Sequence, residues 1–219
     1  MRSKRATIID YGLSNTLSIF RALEFCGAQV ELTDSPLKIK SADYLILPGV
    51  GAFGDGMNEL VKRNLIPAIR SFVASGKYFL GICLGMQLMF ESSSEFGKHD
   101  GLGLVPGSVD LLPAFGVDGA KSKIPHISWN KVYPPAGDKN PDLWQNTILR
   151  QIKPNSFFYF VHSYCVIPKH PADTLALTPF YGHDFSSVIR RDNLYGAQFH
   201  PEKSGPVGLK ILENFISLS

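Results

Sequence analysis

Candidate chemistry starts at Gly81-Ile82-Cys83-Leu84-Gly85, a G-x-C-x-G run. This is the nucleophile-elbow pattern with a thiol in place of a serine hydroxyl. A nucleophile at such a corner has strained backbone angles and needs small flanks. Gly81 and Gly85 let a strand and a helix approach without Cβ clashes. A cysteine at a helix N-terminus also faces unpaired N–H groups and the positive end of the helix dipole, which favour the thiolate. A lone cysteine in this setting is as readily a plain core residue, since free cysteine is among the most buried types. What the chain brings to the sulfur decides between the two.

Gln198-Phe199-His200-Pro201-Glu202 is the second informative stretch. His200 and Glu202 stand two apart, and the proline between them disfavours helix. In extended chain, residues i and i+2 point to one side. An imidazole so placed can take a thiol proton while a carboxylate fixes its tautomer and supports the imidazolium. Spacing alone does not say whether the two bond directly. The third piece is Pro48-Gly49-Val50-Gly51. A strand ending in such a loop can turn backbone N–H groups into a pocket, and acyl transfer needs such donors for its oxyanion. The N–H of Leu84, just after the cysteine, would be one donor. An N–H of the 49–51 segment would be the other.

The elements that must position these groups are legible as periodicities. Residues 6–11, 29–33 and 44–47 predict buried strands, and 77–83 predicts the strand that enters the elbow. Between them lie a helix along Leu17, Phe20 and Leu23 that Gly27 can cap, a helix start at Asp34-Ser35-Pro36, and a helical stretch over 57–75 interrupted at Pro67. Leu84 and Leu88 continue the elbow at helical spacing. Strands alternating with helices in this way predict a parallel sheet with right-handed crossovers. From Gly101 onward, strands follow strands: 108–112, 123–133, 157–167, 174–180, 187–191 and 194–199, with a hairpin turn at 191–193. Residues 134–155 read as a polar surface excursion with a short helix near Trp144. A helix over 206–218, with Leu209, Leu212, Phe215 and Ile216 on its apolar face, ends the chain. The expected fold is therefore α/β: a mixed, mostly parallel central sheet flanked by helices, with an antiparallel C-terminal part.

Composition narrows the function. The chain has 219 residues, enough for one sizeable core, and is read as a single domain, 1–219. A net charge of +3, without a long basic run, gives no support for nucleic acid or a membrane surface as partner. No apolar stretch reaches the roughly 18 residues of a membrane span. The N-terminus does not read as a signal peptide. Three cysteines, Cys26, Cys83 and Cys165, are an odd number without metal-ligand spacing, so a reducing, cytoplasmic location is expected.

Gly-Ile-Cys-Leu-Gly-Met-Gln at 81–87, with Phe-His-Pro-Glu at 199–202, resembles the class I (triad) glutamine amidotransferases. Asp10-Tyr11-Gly12 with Ser14-Asn15, Leu47–Ala52, Gly101–Gly107, Pro125-His126 before Ser128-Trp129-Asn130, Val161–Tyr164 and His200–Ser204 are similar to one subfamily. It is the glutaminase subunit of imidazole glycerol phosphate synthase, and the resemblance runs from residue 6 to the last helix. It implies that Cys83 is the nucleophile, His200 the general base and acid, and Glu202 its orienting carboxylate. Val50 and Leu84 match the oxyanion segment. Gly51, Gln87, His162, Ser163 and Tyr164 match positions that hold glutamine. It implies no metal and no organic cofactor. The implied partner is a cyclase with a (β/α)₈ barrel, forming a heterodimer, and Asn15, Trp129, Asn130 and Lys203 match positions facing it. Ile127-Ser128 stands where the family commonly has Met-Gly before Trp-Asn. The 134–155 segment and Gly205–Gly208 also depart from the family. The pathway is thus open between histidine biosynthesis and a second-copy role supplying ammonia to a sugar amidotransferase.

Overall fold

The computed structural model describes residues 4–135 and 143–219. Its first half alternates strand and helix: β1 (Arg5–Ile9), α1 (Thr16–Phe25), β2 (Gln29–Thr33), α2 (Pro36–Ser41), β3 (Tyr44–Gly49), α3 (Phe53–Lys62), α4 (Ile66–Ala74), β4 (Phe79–Cys83) and α5 (Leu84–Leu88). Then come β5 (Phe90–Ser93), β6 (His99–Asp100), β7 (Val105–Leu111), β8 (His126–Val132), β9 (Ser156–His162), β10 (Tyr164–Pro168), β11 (Thr174–Phe180), β12 (His183–Arg191), β13 (Leu194–Ala197) and α6 (Gly205–Phe215).

The central sheet runs β2-β1-β3-β4-β13-β12-β10-β7-β5-β6, with β11 paired to β12. The five strands from β2 to β13 are mutually parallel. Beyond β13 the pairing turns antiparallel, apart from β5 against β7. β8 and β9 form a separate antiparallel pair. This is the expected α/β architecture. Among the described residues, no helix is long and apolar enough to cross a membrane.

Parallel strands covered on both faces must be apolar on both faces. Ile8, Ile46, Leu80 and Ile82 enter one layer with Ile19 and Leu23 of α1 and Ile211, Leu212 and Phe215 of α6. Ile9, Leu45, Leu47 and Phe79 enter the other with Ile39 of α2, Phe53 and Leu60 of α3, and Ile69 and Phe72 of α4. Each fully buried side chain of this kind contributes about 1.5–3 kcal/mol. α3 and α4 part at residues 63–65, where Asn64 has a positive φ, so the break falls just before Pro67, which sits in the first turn of α4 rather than interrupting a helix.

Three local expectations are corrected, and two short strands are new. The predicted strand 157–167 breaks at Ser163 into β9 and β10, which lie in different sheets. The elbow helix, which Leu84 and Leu88 announce, is only five residues long, and β5 begins at Phe90. β5 and β6, of four and two residues, were too short to show a period. In the 134–155 segment, residues 136–142 lie outside the described residues, but 143–155 is no surface excursion. Trp144, Ile148 and Leu149 are buried in the core as turns rather than helix. The Trp144 Nε1–H donates to the Leu175 carbonyl (2.9 Å), and Asn214 of α6 donates to the Ile148 and Arg150 carbonyls (3.0 and 2.7 Å). These bonds satisfy buried backbone that has no ladder of its own.

The approach of β3, β4 and α5 is the tightest feature that bears on chemistry. A Cβ on Gly85 would lie 1.7 Å from the Leu47 carbonyl oxygen. One on Gly81 would lie 2.7 Å from the Gly85 carbonyl oxygen and from Met86 Cα. Backbone cannot retreat as a side-chain tip can. Gly85→Ala is therefore expected to cost about 3 kcal/mol in urea unfolding; unchanged stability would mean that the corner can spread.

Candidate active site

Cys83 ends β4 and precedes α5 with φ 53° and ψ −112°. For a side chain with a Cβ this conformation costs about 1–3 kcal/mol and persists only where the surroundings impose it. The glycine-lined contact just described does so. The cysteine is 6% exposed. Its Sγ lies 3.8 Å from the Val161 carbonyl oxygen and 3.7 Å from Gln198 Nε2.

His200 follows β13 and is close enough to the sulfur for the two to interact electrostatically. Its N–H donates to the Tyr159 carbonyl (3.0 Å) of β9, and Phe199 stacks on Phe158 at 4.1 Å. Ser204 Oγ donates to the His200 carbonyl (2.7 Å) and accepts from the Tyr159 N–H (3.0 Å). Pro201–Lys203 is a 3₁₀ turn rather than extended chain, so the i, i+2 argument gave the right neighbours through the wrong backbone. His200 Nδ1 lies 2.8 Å from Glu202 Oε1, with side chains 4% and 1% exposed. The other ring nitrogen, Nε2, is buried and makes no hydrogen bond of ordinary length. Such contacts are commonly long before substrate binds. Burial works against charge on His200, but the neighbouring Cys83 and Glu202 outweigh it and push the pKa up to about 10.

A cavity of about 270 Å³ opens beside the sulfur, a volume suited to a small molecule. Val50, Gly51, Leu84, Gln87, His162, Ser163 and Tyr164, all singled out from sequence, line it together with Cys83. Leu84 is the first residue of α5, so its N–H has no partner within the helix. Val50 differs from expectation: its N–H donates to the Leu13 carbonyl at 2.8 Å. In this conformation it is not an oxyanion donor.

Sequence reasoning missed several groups here. Glu95 lines the cavity, and its Oε2 accepts from the Phe53 N–H at the start of α3 (2.6 Å). No motif flanks Glu95, so only folding reveals it. His126 is another. The Tyr164 carbonyl is acceptor-only, so His162 Nδ1 donates to it (2.8 Å) and His162 Nε2 accepts from His126 Nδ1 (3.1 Å). His126 Nε2 then accepts from Ser128 Oγ (3.0 Å) and Asn130 Nδ2 (3.2 Å). Burial lowers the pKa of His162 to about 3 and that of His126 to about 4, so both rings are neutral.

The four residues expected at a partner surface divide. Asn15, Trp129 and Lys203 are exposed, with Trp129 resting edge-on against Tyr159. Asn130 lies on the other face of β8, its amide donating to the Pro179 carbonyl (2.8 Å) as well as to His126. Strand alternation makes this unavoidable for neighbours 129 and 130.

The sequence model of the family described as glutamine amidotransferase class-I matches residues 7–218. The imidazole glycerol phosphate synthase subunit HisH 1 of Legionella pneumophila (strain Lens) is 50% identical over 212 residues, covering 97% of this chain and 98% of the relative. The corresponding HisH subunit of Aquifex aeolicus is 47% identical over 215 residues, 96% of this chain and 95% of the relative. Among solved structures, PurLQS from Thermotoga maritima superposes with a TM-score of 0.70 at 18% identity, covering 99% of each chain. The glutaminase domain of Trypanosoma brucei CTPS, with bound acivicin, superposes with a TM-score of 0.61 at 16% identity, covering 98% and 94%. Likeness at this identity speaks to fold alone.

The raised His200 pKa has a signed consequence. Imidazolium stabilisation is fully present below the ordinary value near 6.5 and is lost as pH rises through about 10. Cys83→Ala removes one of the two neighbours that raise it. The His200 ring, followed by NMR titration, is therefore expected to titrate well below 10 in that variant. An unmoved titration would show that Glu202 alone holds the charge.

Proposed function

The chain belongs to the class-I glutamine amidotransferases, and from that premise we propose that it is the glutaminase subunit of an imidazole glycerol phosphate synthase, serving histidine biosynthesis. The observation that carries the reading is 50% identity to a HisH subunit along almost the whole of both chains. It favours this role over the supply of ammonia to a sugar amidotransferase. The full chain, 1–219, acts as one glutaminase domain. A biosynthetic subunit whose described helices do not span a membrane fits a cytoplasmic location.

Cys83 is the nucleophile. His200 takes the thiol proton, and the thiolate attacks the side-chain amide carbon of glutamine, forming a C–S bond as the carbonyl electrons move to oxygen. His200 returns the proton to the amide nitrogen, the C–N bond breaks, and ammonia departs. Water, deprotonated by His200, then attacks the thioester. The C–S bond breaks and glutamate leaves. Glu202, bonded to Nδ1, keeps Nε2 directed at the sulfur and supports the imidazolium.

The lining suits glutamine. Gln87 gives its amide hydrogens to the Tyr164 carbonyl (3.0 Å) and Gln198 Oε1 (3.1 Å), so only its oxygen is free to face a ligand. With the Glu95 carboxylate in the same cavity, the lining offers acceptors to an α-ammonium group. Gly51 and the His162–Tyr164 segment complete the binding wall.

Ammonia in neutral water is mostly ammonium, which is no nucleophile, so it must pass to its acceptor by a sheltered route. The partner is a barrel cyclase, docked at the surface carrying Asn15, Trp129 and Lys203. Asn130 supports that surface from the inner face of β8 rather than facing the partner. Oxyanion stabilisation by Val50 requires its N–H to leave Leu13, a peptide rotation beside Gly49 and Gly51 that the partner would favour. Loss of one such donor costs about 10²–10³ in rate.

Two results are expected. Cys83→Ala in the assembled enzyme should lower glutamate release at least about 10³-fold while ammonia-driven cyclisation continues; normal release would sink the nucleophile assignment. Addition of the barrel cyclase with its acceptor should raise glutamate release by about 10²-fold or more over the chain alone. Full activity without a partner would remove the Val50 switch.

A further inference from the structure

We propose that Gln198 is a catalytic residue of the same site, its side-chain N–H donating to the Cys83 sulfur whenever that sulfur carries negative charge. The proposal rests on the assignment of Cys83 as nucleophile, and its test separates the two.

Orientation is decisive, because an amide can present either a donor or an acceptor. The Tyr164 carbonyl can only accept. Gln87 must therefore turn its NH₂ toward it, at 3.0 Å. The second hydrogen of that NH₂ reaches Gln198 3.1 Å away, so Gln198 must offer its oxygen there. That leaves the Gln198 NH₂ facing Sγ at 3.7 Å. Gln198 is fully buried and cannot turn over to water. Its backbone N–H donates to the Ser187 carbonyl (2.9 Å), fixing the strand that carries it. One acceptor-only oxygen thus determines, through two amides, that the sulfur meets a donor.

The sulfur's surroundings are balanced. The Val161 carbonyl, at 3.8 Å, accepts from the neutral thiol and opposes ionisation. Gln198 favours the charged form, because an N–H bond to an anion is stronger than one to a neutral group. Sulfur carries charge twice in each turnover: after His200 takes the proton, and again when the thioester C–S bond breaks and sulfur receives the bonding electrons. Gln198 stabilises both moments without moving. Gln198 itself does not titrate; the titratable groups that act on the sulfur are His200, with Glu202 behind, and the buried Tyr11 hydroxyl.

Gln198→Met keeps the length and removes the donor. Gln198→Glu keeps the shape and the bond from Gln87 but places a carboxyl against the sulfur. The chain alone, without glutamine, is alkylated with iodoacetamide across pH, and modification at Cys83 is read by peptide mass spectrometry. The pH profile of alkylation at Cys83 should move up by about one unit in Gln198→Met and further in Gln198→Glu. In the assembled enzyme, kcat for glutamate release should fall about tenfold or more, with KM within about twofold. A wild-type Cys83 that does not alkylate would overturn the nucleophile assignment itself. A reactive Cys83 whose profile is the same in wild type and both variants would overturn the role of Gln198. So would a rise in KM at unchanged kcat, which would make Gln198 a substrate contact. Should Gln198→Met fail to fold by circular dichroism, the Gln198→Glu profile decides alone.

Discussion

The whole candidate site depends on one backbone contact, the approach of Gly85 to the Leu47 carbonyl. Because no Cβ intervenes, α5 packs directly on β3, and the link between β4 and α5 has to turn within a single residue. That residue is Cys83, held at a positive φ that a free chain would avoid. The strain is offset by the two apolar layers of the sheet, which would have to separate before the corner could relax. The thiol is consequently placed by the core rather than by a loop. The histidine is placed the same way, through Phe199 stacked on Phe158 and the lacing of Ser204 to β9.

Electrostatic order in the site follows from a second economy of structure. The Tyr164 carbonyl receives both the Gln87 amide and the His162 ring. With both its lone pairs engaged, it sets the direction of two hydrogen-bond chains. One runs through Gln87 and Gln198 to the sulfur. The other runs through His162 and His126 to Ser128 and Asn130 on β8. The first ends against the Cys83 sulfur. The second ties the wall of the cavity to the strand whose opposite face exposes Trp129.

Much of this was legible in the sequence, for local reasons. Gly81 and Gly85 can be read because a close approach leaves its mark as missing side chains. His200 and Glu202 can be read because a pair two apart around proline is held together by covalent geometry, whichever backbone it adopts. Parallel strands announce themselves as runs such as Tyr44–Leu47. What could not be read is set by distant chain. Glu95 meets Phe53 across 42 positions, and Gln87 meets Gln198 across 111. The direction of the Val50 N–H is a single peptide rotation that no side chain records. The 143–155 turns were misread because their carbonyls are satisfied by Asn214 and their indole by Leu175, partners far along the chain.

The neutral imidazole pair has a bearing on how the protein meets acid. His126 and His162 refuse protons in the fold until about pH 4 and 3, whereas an unfolded chain takes them up near 6.5. Acidification through that interval therefore favours the open chain, by about 1.4 kcal/mol per unit of pH for each ring. Below it the two states hold equal protons there and the drain stops. The weak point of this fold in acid is thus the packing behind the cavity wall, where protonation would force two charges into an aromatic cage formed by Phe160, Phe180 and Phe185.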